Sequence, residues 1–109
     1  MSTDEQRVRG LLAPHLMGLL DEPSVTVDVR EIEVLPRGRT FDVALDVVVR
    51  DERWRVRVRC DNSDSVLYDA APPPHVVRSV AHLIRVQLFE WWHTKGRERR
   101  SAALGERLP

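Results

Sequence analysis

The stretch FDVALDVVVRDERWRVRVRC, residues Phe41–Cys60, decides the fold. Apolar and polar residues alternate through both halves of it, which is the period of a β-strand with one buried face. Asp51-Glu52 falls between the two alternating runs and predicts a two-residue hairpin loop. With that loop Val49 pairs with Trp54, and apolar residues face one another along the whole hairpin. The stretch therefore predicts two antiparallel strands with one face toward a core.

A third strand precedes this hairpin. Residues 24–35 also alternate, and a tight turn at Arg37-Gly38 joins them to the next strand. The apolar phase slips at Arg30 and Glu31, so strict alternation from end to end would put polar side chains into the core. One extra residue at Arg30/Glu31 restores a single apolar face, and we predict a β-bulge there.

Two helices flank the three strands. The first begins near Ser2 or Thr3, and its apolar spacing continues to Leu20. Pro14 removes one helical hydrogen bond, which predicts a kink or two short helices that meet at Ala13. The second helix covers residues 75–95 and has an apolar face about half its circumference wide, suited to cover one side of the sheet.

These elements define an α+β fold with the order α-β-β-β-(β)-α. It is an antiparallel meander of three to four strands with the helices packed on one face. The optional fourth strand is the short apolar run at residues 66–68. We predict one domain over residues 1–96 and a charged C-terminal tail over residues 97–109, with a helical turn around residues 101–104.

Composition excludes several classes of protein. The net charge is zero, with 17 basic and 17 acidic residues, which argues against a strongly basic nucleic-acid protein. Cys60 is the single cysteine, so no internal disulfide forms. No run approaches the length of a membrane span, and the N-terminal residues lack the pattern of a signal peptide, so we expect a cytoplasmic protein. No motif indicates a metal site or a cofactor.

Four arginines occupy alternate positions of the third strand and point to the outer face of the sheet. They are Arg53, Arg55, Arg57 and Arg59. Their spacing of ~6.8 Å is close to the phosphate spacing of a nucleic-acid strand, so the row is a candidate nucleic-acid site. The alternative is pairing with acidic residues across the sheet, as in Arg57 opposite Asp46, which needs no ligand.

The outward face of the second helix carries a second candidate surface. Val86 and Phe89 lie there among polar side chains, including His82 and Arg85. An apolar pair framed by charges is typical of a partner-binding patch, although contact with the first helix or the tail would explain it equally well. The histidines of this helix are too far apart along it to share a metal ion.

Three functions are consistent with these patterns. The leading hypothesis is a small non-enzymatic interaction or accessory module, a homodimer or a subunit of a larger assembly, that uses the Val86/Phe89 patch or an unpaired strand edge. The alternative is a nucleic-acid-binding protein that uses the arginine row. The second alternative is a small ligand-binding domain or enzyme with a cleft between the first helix and the sheet, for which no catalytic pair can be named.

Overall fold

Five strands form one antiparallel sheet, in which each strand pairs with the next along the chain. The structure is a computed structural model that describes residues 3–38, 40–61, 71–94 and 104–108. Its elements in chain order are α1 Thr3–Leu16, β1 Gly18–Glu22, β2 Val25–Arg37, β3 Thr40–Val49, β4 Glu52–Cys60, α2 Pro74–Thr94 and β5 Leu104–Leu108. The predicted α+β class and the antiparallel meander are confirmed.

Both helices pack on the same face of the sheet. One core cluster contains the buried residues of α1 and α2 together with every second side chain of the central strands. The other face of the sheet carries the alternating polar residues, among them the arginines of β4. In the part of the chain that the structure describes, neither helix is long and apolar enough to cross a membrane.

The predicted bulge is confirmed. Val29 pairs with Val47 and Glu31 pairs with Asp46, so the register shifts between Val29 and Glu31. Arg30 is the extra residue on β2. The extra residue keeps the apolar side chains on both sides of the bulge directed into the same core.

The predicted strand registers are wrong by two residues. The β3–β4 turn is at Arg50-Asp51, so Val47 rather than Val49 lies opposite Trp54. Arg50 adopts a φ of 56°, the left-handed conformation that a tight hairpin turn uses. Because side chains alternate with a period of two, this shift changes the partners but keeps every residue on its predicted face.

The β2–β3 turn is displaced in the same way. Arg37 belongs to β2 and pairs with Thr40, so the turn is not at Arg37-Gly38. Gly38 has a φ of 61°, which a residue without a Cβ adopts at little cost. Val34 therefore lies opposite Val43 instead of its predicted partner Phe41.

The first helix ends earlier than its apolar spacing suggests, and β1 follows it. α1 stops at Leu16, and Gly18, with a φ of 91°, starts the new strand. Leu20 is buried and Leu19 is exposed, which is the alternation of a strand with one covered face. Pro14 stays inside one continuous helix, so two helices meeting at Ala13 do not form.

The second helix matches its prediction within one residue at each end. Residues 66–68, the capping residue Ser2 and the residues just beyond α2 lie outside the described residues. The predicted tail contains an element that the sequence did not indicate, because Leu104–Leu108 form β5 beside β4. The Trp91 ring lies against Gly105, where a Cβ would be 2.1 Å from the indole Nε1.

Candidate interaction site

A concave surface lies between the edge strand β1 and α2. β1 ends the sheet, so one side of its backbone has no strand partner among the described residues. The space between this edge and the helix has a volume of about 530 Å³. We call it the β1–α2 groove, and the residues that line it are Leu19, Leu20, Asp21, Glu22, His82, Arg85, Val86, Phe89, Glu90 and His93.

The groove combines exposed apolar side chains with a charged rim. Val86 is 37% exposed, and Phe89 is half-buried and packs against the core. Leu19 at the strand edge is 71% exposed, and its side chain lies on the outer face of β1. Leu83 is also exposed on α2, but it does not line the groove. An apolar floor beside an unpaired strand edge is a surface on which an extended segment of another chain can add to the sheet.

All four residues of the predicted helix patch line this groove. They are Val86, Phe89, Arg85 and His82. The 100° rotation per residue of a helix was enough to place them on one face. The contribution of β1 was missed, because Leu19 and Leu20 continue the apolar spacing of α1 and were predicted as helix.

A polar contact between β1 and α2 closes the groove at the end where both elements reach their last residues. The Nε2 atom of His93 lies 3.0 Å from the Oε2 atom of Glu22, and the hydroxyl of Ser24 donates to the same oxygen at 3.2 Å. The hydrogen bond to His93 lowers the pKa of Glu22 below its ordinary value. This contact fixes the distance between the strand and the helix at that end.

The Glu22, His93 and Ser24 side chains do not have the geometry of a catalytic triad. In a triad, the serine and the acid bond to opposite nitrogens of the histidine ring. Here the Ser24 hydroxyl and the Glu22 carboxylate both approach Nε2, at 3.3 and 3.0 Å. The acid occupies the nitrogen that would have to take the proton from the serine. His93 therefore cannot act as the base of a triad.

Arg85 is the cation of the groove without a partner in the part of the chain that the structure describes. Its Nε atom is buried and makes no hydrogen bond. The rest of the side chain is partly exposed at the groove wall. The terminal N–H groups of the guanidinium can therefore donate to an incoming carboxylate or carbonyl oxygen.

The arginine row lies on the outer face of the sheet, as predicted, and two of its members have acidic partners. Arg55 bonds to Asp46 at 3.0 Å and also to Glu33, and Arg57 bonds to Asp42 at 2.9 Å. The predicted Arg57–Asp46 pairing is wrong because of the two-residue shift in register, which places Arg55 opposite Asp46.

The other two arginines of the row are exposed. Arg53 lies opposite Val48 and Arg59 lies opposite Asp42. Neither forms an ion pair among the residues that are described. The face as a whole therefore has interleaved charges of both signs, whereas a phosphate backbone is bound best by a continuous positive surface.

Asp42 lies on that face near the beginning of β3 and is 3% exposed. It accepts hydrogen bonds from Arg37 at 3.0 Å and from Arg57 at 2.9 Å, and Arg37 also bonds to Asp61. A buried carboxylate needs such partners to remain charged. These arginines thus have a structural role in neutralising Asp42.

The remaining candidate chemistry is limited. The depression between α1 and β2 has a volume of about 390 Å³ and contains the Arg9–Glu31 ion pair, but no paired nucleophile and base among its lining residues. Burial, followed by the charges of Asp42 and Asp61, raises the pKa of the Cys60 thiol to about 12. No group of three potential metal ligands occurs among the described residues.

Comparisons with protein-family models, with curated proteins and with solved structures gave no match.

Proposed function

We propose that this protein is a small non-enzymatic interaction module, which binds another protein chain through the β1–α2 groove. It does so as a homodimer or as a subunit of a larger assembly. The observation that carries the proposal is the unpaired edge of β1 beside exposed Leu19 and Val86. A strand added at this edge makes main-chain hydrogen bonds with β1, and its alternate side chains pack against α2.

The groove supports this function better than a chemical one. Leu20, Val86 and Phe89 are among its lining residues, and they give it an apolar surface beside its charged groups. Exposed edge strands favour association with other strands unless charge, proline or a covering element prevents it. β1 contains no proline, its central residue is Leu20, and its two carboxylates, Asp21 and Glu22, lie together at one end of the strand.

Sedimentation velocity over a wide range of protein concentration tests the proposal. We expect the wild-type chain to associate and the Val86→Asp variant to lose association, because a carboxylate would be buried in the apolar floor. Leu83→Asp is the matched control, since Leu83 is an exposed leucine of the same helix outside the groove. It should associate as the wild type does.

Two results would contradict the proposed function. One is wild-type association that Val86→Asp leaves unchanged, since the interface would then lie elsewhere. The other is a monomer at every concentration that, used as bait, retains the same proteins as the Val86→Asp variant. Circular dichroism of each variant confirms that the fold is intact before association is compared.

A further inference from the structure

We infer that the occupant of the β1–α2 groove is β1 of a second copy of this chain, paired antiparallel about a twofold axis at Leu20. The inference rests on the proposed function and names its partner. The result is one continuous sheet through both copies.

α2 runs parallel to β1. The Gln87 side chain donates to the carbonyl of Arg59 at 3.1 Å, and the Trp91 ring contacts Trp54 with centroids 5.1 Å apart. Residues that advance along α2 therefore go backward along β4. In an antiparallel meander β1 is also antiparallel to β4, so α2 and β1 share a direction.

Positions along the two elements can now be matched from the Glu22–His93 contact. Phe89 lies four residues before His93, about 6 Å along the helix, and Leu20 lies two residues before Glu22, about 7 Å along the strand. Phe89 is therefore level with Leu20.

The same comparison of distance along the helix and along the strand applies at the other end of the groove. Arg85 lies eight residues before His93, about 12 Å along the helix. Gly18 lies four residues before Glu22, about 13 Å along the strand. Arg85 is therefore level with Gly18, and both Arg85 and Phe89 line the groove.

Antiparallel pairing with Leu20 opposite Leu20 of the second copy brings complementary groups together. Even-numbered residues of β1 lie on the helix side of the sheet, as the pairing of Leu20 with buried Val27 shows. Leu20 of the second copy then lies level with Phe89. Glu22 of the second copy lies opposite Gly18, level with Arg85. Its Oε2 atom bonds to its own His93 and Ser24, so its Oε1 atom meets the cation that has no partner among the described residues.

The twofold axis makes each of these contacts twice. The groove requires an apolar side chain and, two positions further along the strand, a carboxylate, and β1 itself has this pattern in Leu20 and Glu22. On the outer face Leu19 of one copy lies opposite Asp21 of the other, so no like charges are directly opposed. A register shifted by one residue would reverse the faces, and a shift of two would leave three paired residues.

Charge reversal measured by sedimentation equilibrium tests this register. Arg85→Glu and Glu22→Arg should each weaken the dimer about tenfold or more, because a charged pair becomes a like-charged pair at two symmetric positions. The double variant R85E/E22R should bind about tenfold more tightly than either single variant, and it should stay weaker than wild type because it lacks the Glu22–His93 contact within each copy. The matched control R85E/D21R should stay weak, since Asp21 points to the other face.

Disulfide trapping provides a second test that leaves Arg85, Glu22 and the residues of α2 unchanged. A mixture of Leu19→Cys and Asp21→Cys chains should cross-link under mild oxidation, because these residues are directly opposite in the proposed register, about 5 Å apart. Either variant alone places its two cysteines about 8 Å apart, too far for a disulfide. Buried Cys60 does not interfere, since its thiol stays protonated.

The outcomes separate this inference from the proposed function. A dimer that Val86→Asp abolishes, but that shows neither charge rescue nor the mixed cross-link, overturns the register and leaves the function standing. A wild-type chain that stays monomeric would show that a second copy does not occupy the groove. The comparison of proteins retained by the wild type and by Val86→Asp then tests the proposed function. Rescue together with the mixed cross-link establishes both.

Discussion

Gly105 allows β5 to join the sheet, and replacing it with alanine should destabilise the protein. A Cβ at this position would lie 2.1 Å from Nε1, 2.3 Å from Cε2 and 2.4 Å from Cζ2 of Trp91. Because favourable contacts between such atoms are about 3.5–4.0 Å, the ring or the strand must move by more than about 1 Å.

The ring has little freedom to move. Trp91 is 3% exposed, and it packs edge-on against Trp54 and at 6.0 Å from Trp92. Overpacking of this kind costs about 1–3 kcal/mol. For a domain of this size each kcal/mol lowers the melting temperature by about 4 °C, so we expect Gly105→Ala to melt about 4–12 °C lower than the wild type.

Thermal denaturation followed by circular dichroism measures this effect. Gly10→Ala is the matched control, since a Cβ at Gly10 meets nothing within 4 Å, and the same substitution inside a helix stabilises by about 0.5–1 kcal/mol. The two identical changes should therefore shift the melting temperature in opposite directions. A Gly105→Ala variant that melts at the wild-type temperature with Trp91 still buried would refute the role of Gly105.

Three further predictions follow from single residues. The folded-state pKa of Cys60, about 12 against an ordinary value of 9.0, means that the unfolded chain loses its thiol proton first. Stability measured by urea denaturation should therefore fall as the pH rises from 9 toward 12, and a thiol reagent should label the native protein slowly. Because the pKa of Glu22 is lowered in the folded state, ionised Glu22 stabilises the fold at a pH above its ordinary pKa of 4.5. This contribution is lost as the pH falls through the folded-state pKa of Glu22. In the His93→Ala variant, NMR titration should show the pKa of Glu22 raised toward 4.5. Arg50→Gly should raise the melting temperature by about 2–4 °C, because glycine adopts the φ of 56° without the cost that a side chain brings, and a lower melting temperature would contradict this.

Local patterns in the sequence determined which residues face the core. Alternation from Phe41 to Cys60 and the phase slip at Arg30 predicted the central strands and the bulge, because both depend on neighbouring residues of one strand. The helical rotation of 100° per residue placed Val86 and Phe89 together on the exposed side of α2 in the same way. The sequence therefore predicted the two faces of the sheet and half of the groove.

Contacts between distant residues decided the rest. Leu19 and Leu20 fit the apolar period of a helix, and they form an edge strand because β2 supplies its hydrogen-bond partners and Leu20 joins the core cluster. β5 depends on Gly105 meeting Trp91, which no pattern within five residues reveals. The β2–β3 and β3–β4 registers differ from the predicted ones by two residues, and both registers place every side chain on the same face. Hydrophobic alternation therefore could not distinguish the predicted register from the observed one. The groove itself exists only because β1 and α2, 71 residues apart at Glu22 and His93, meet in the folded chain.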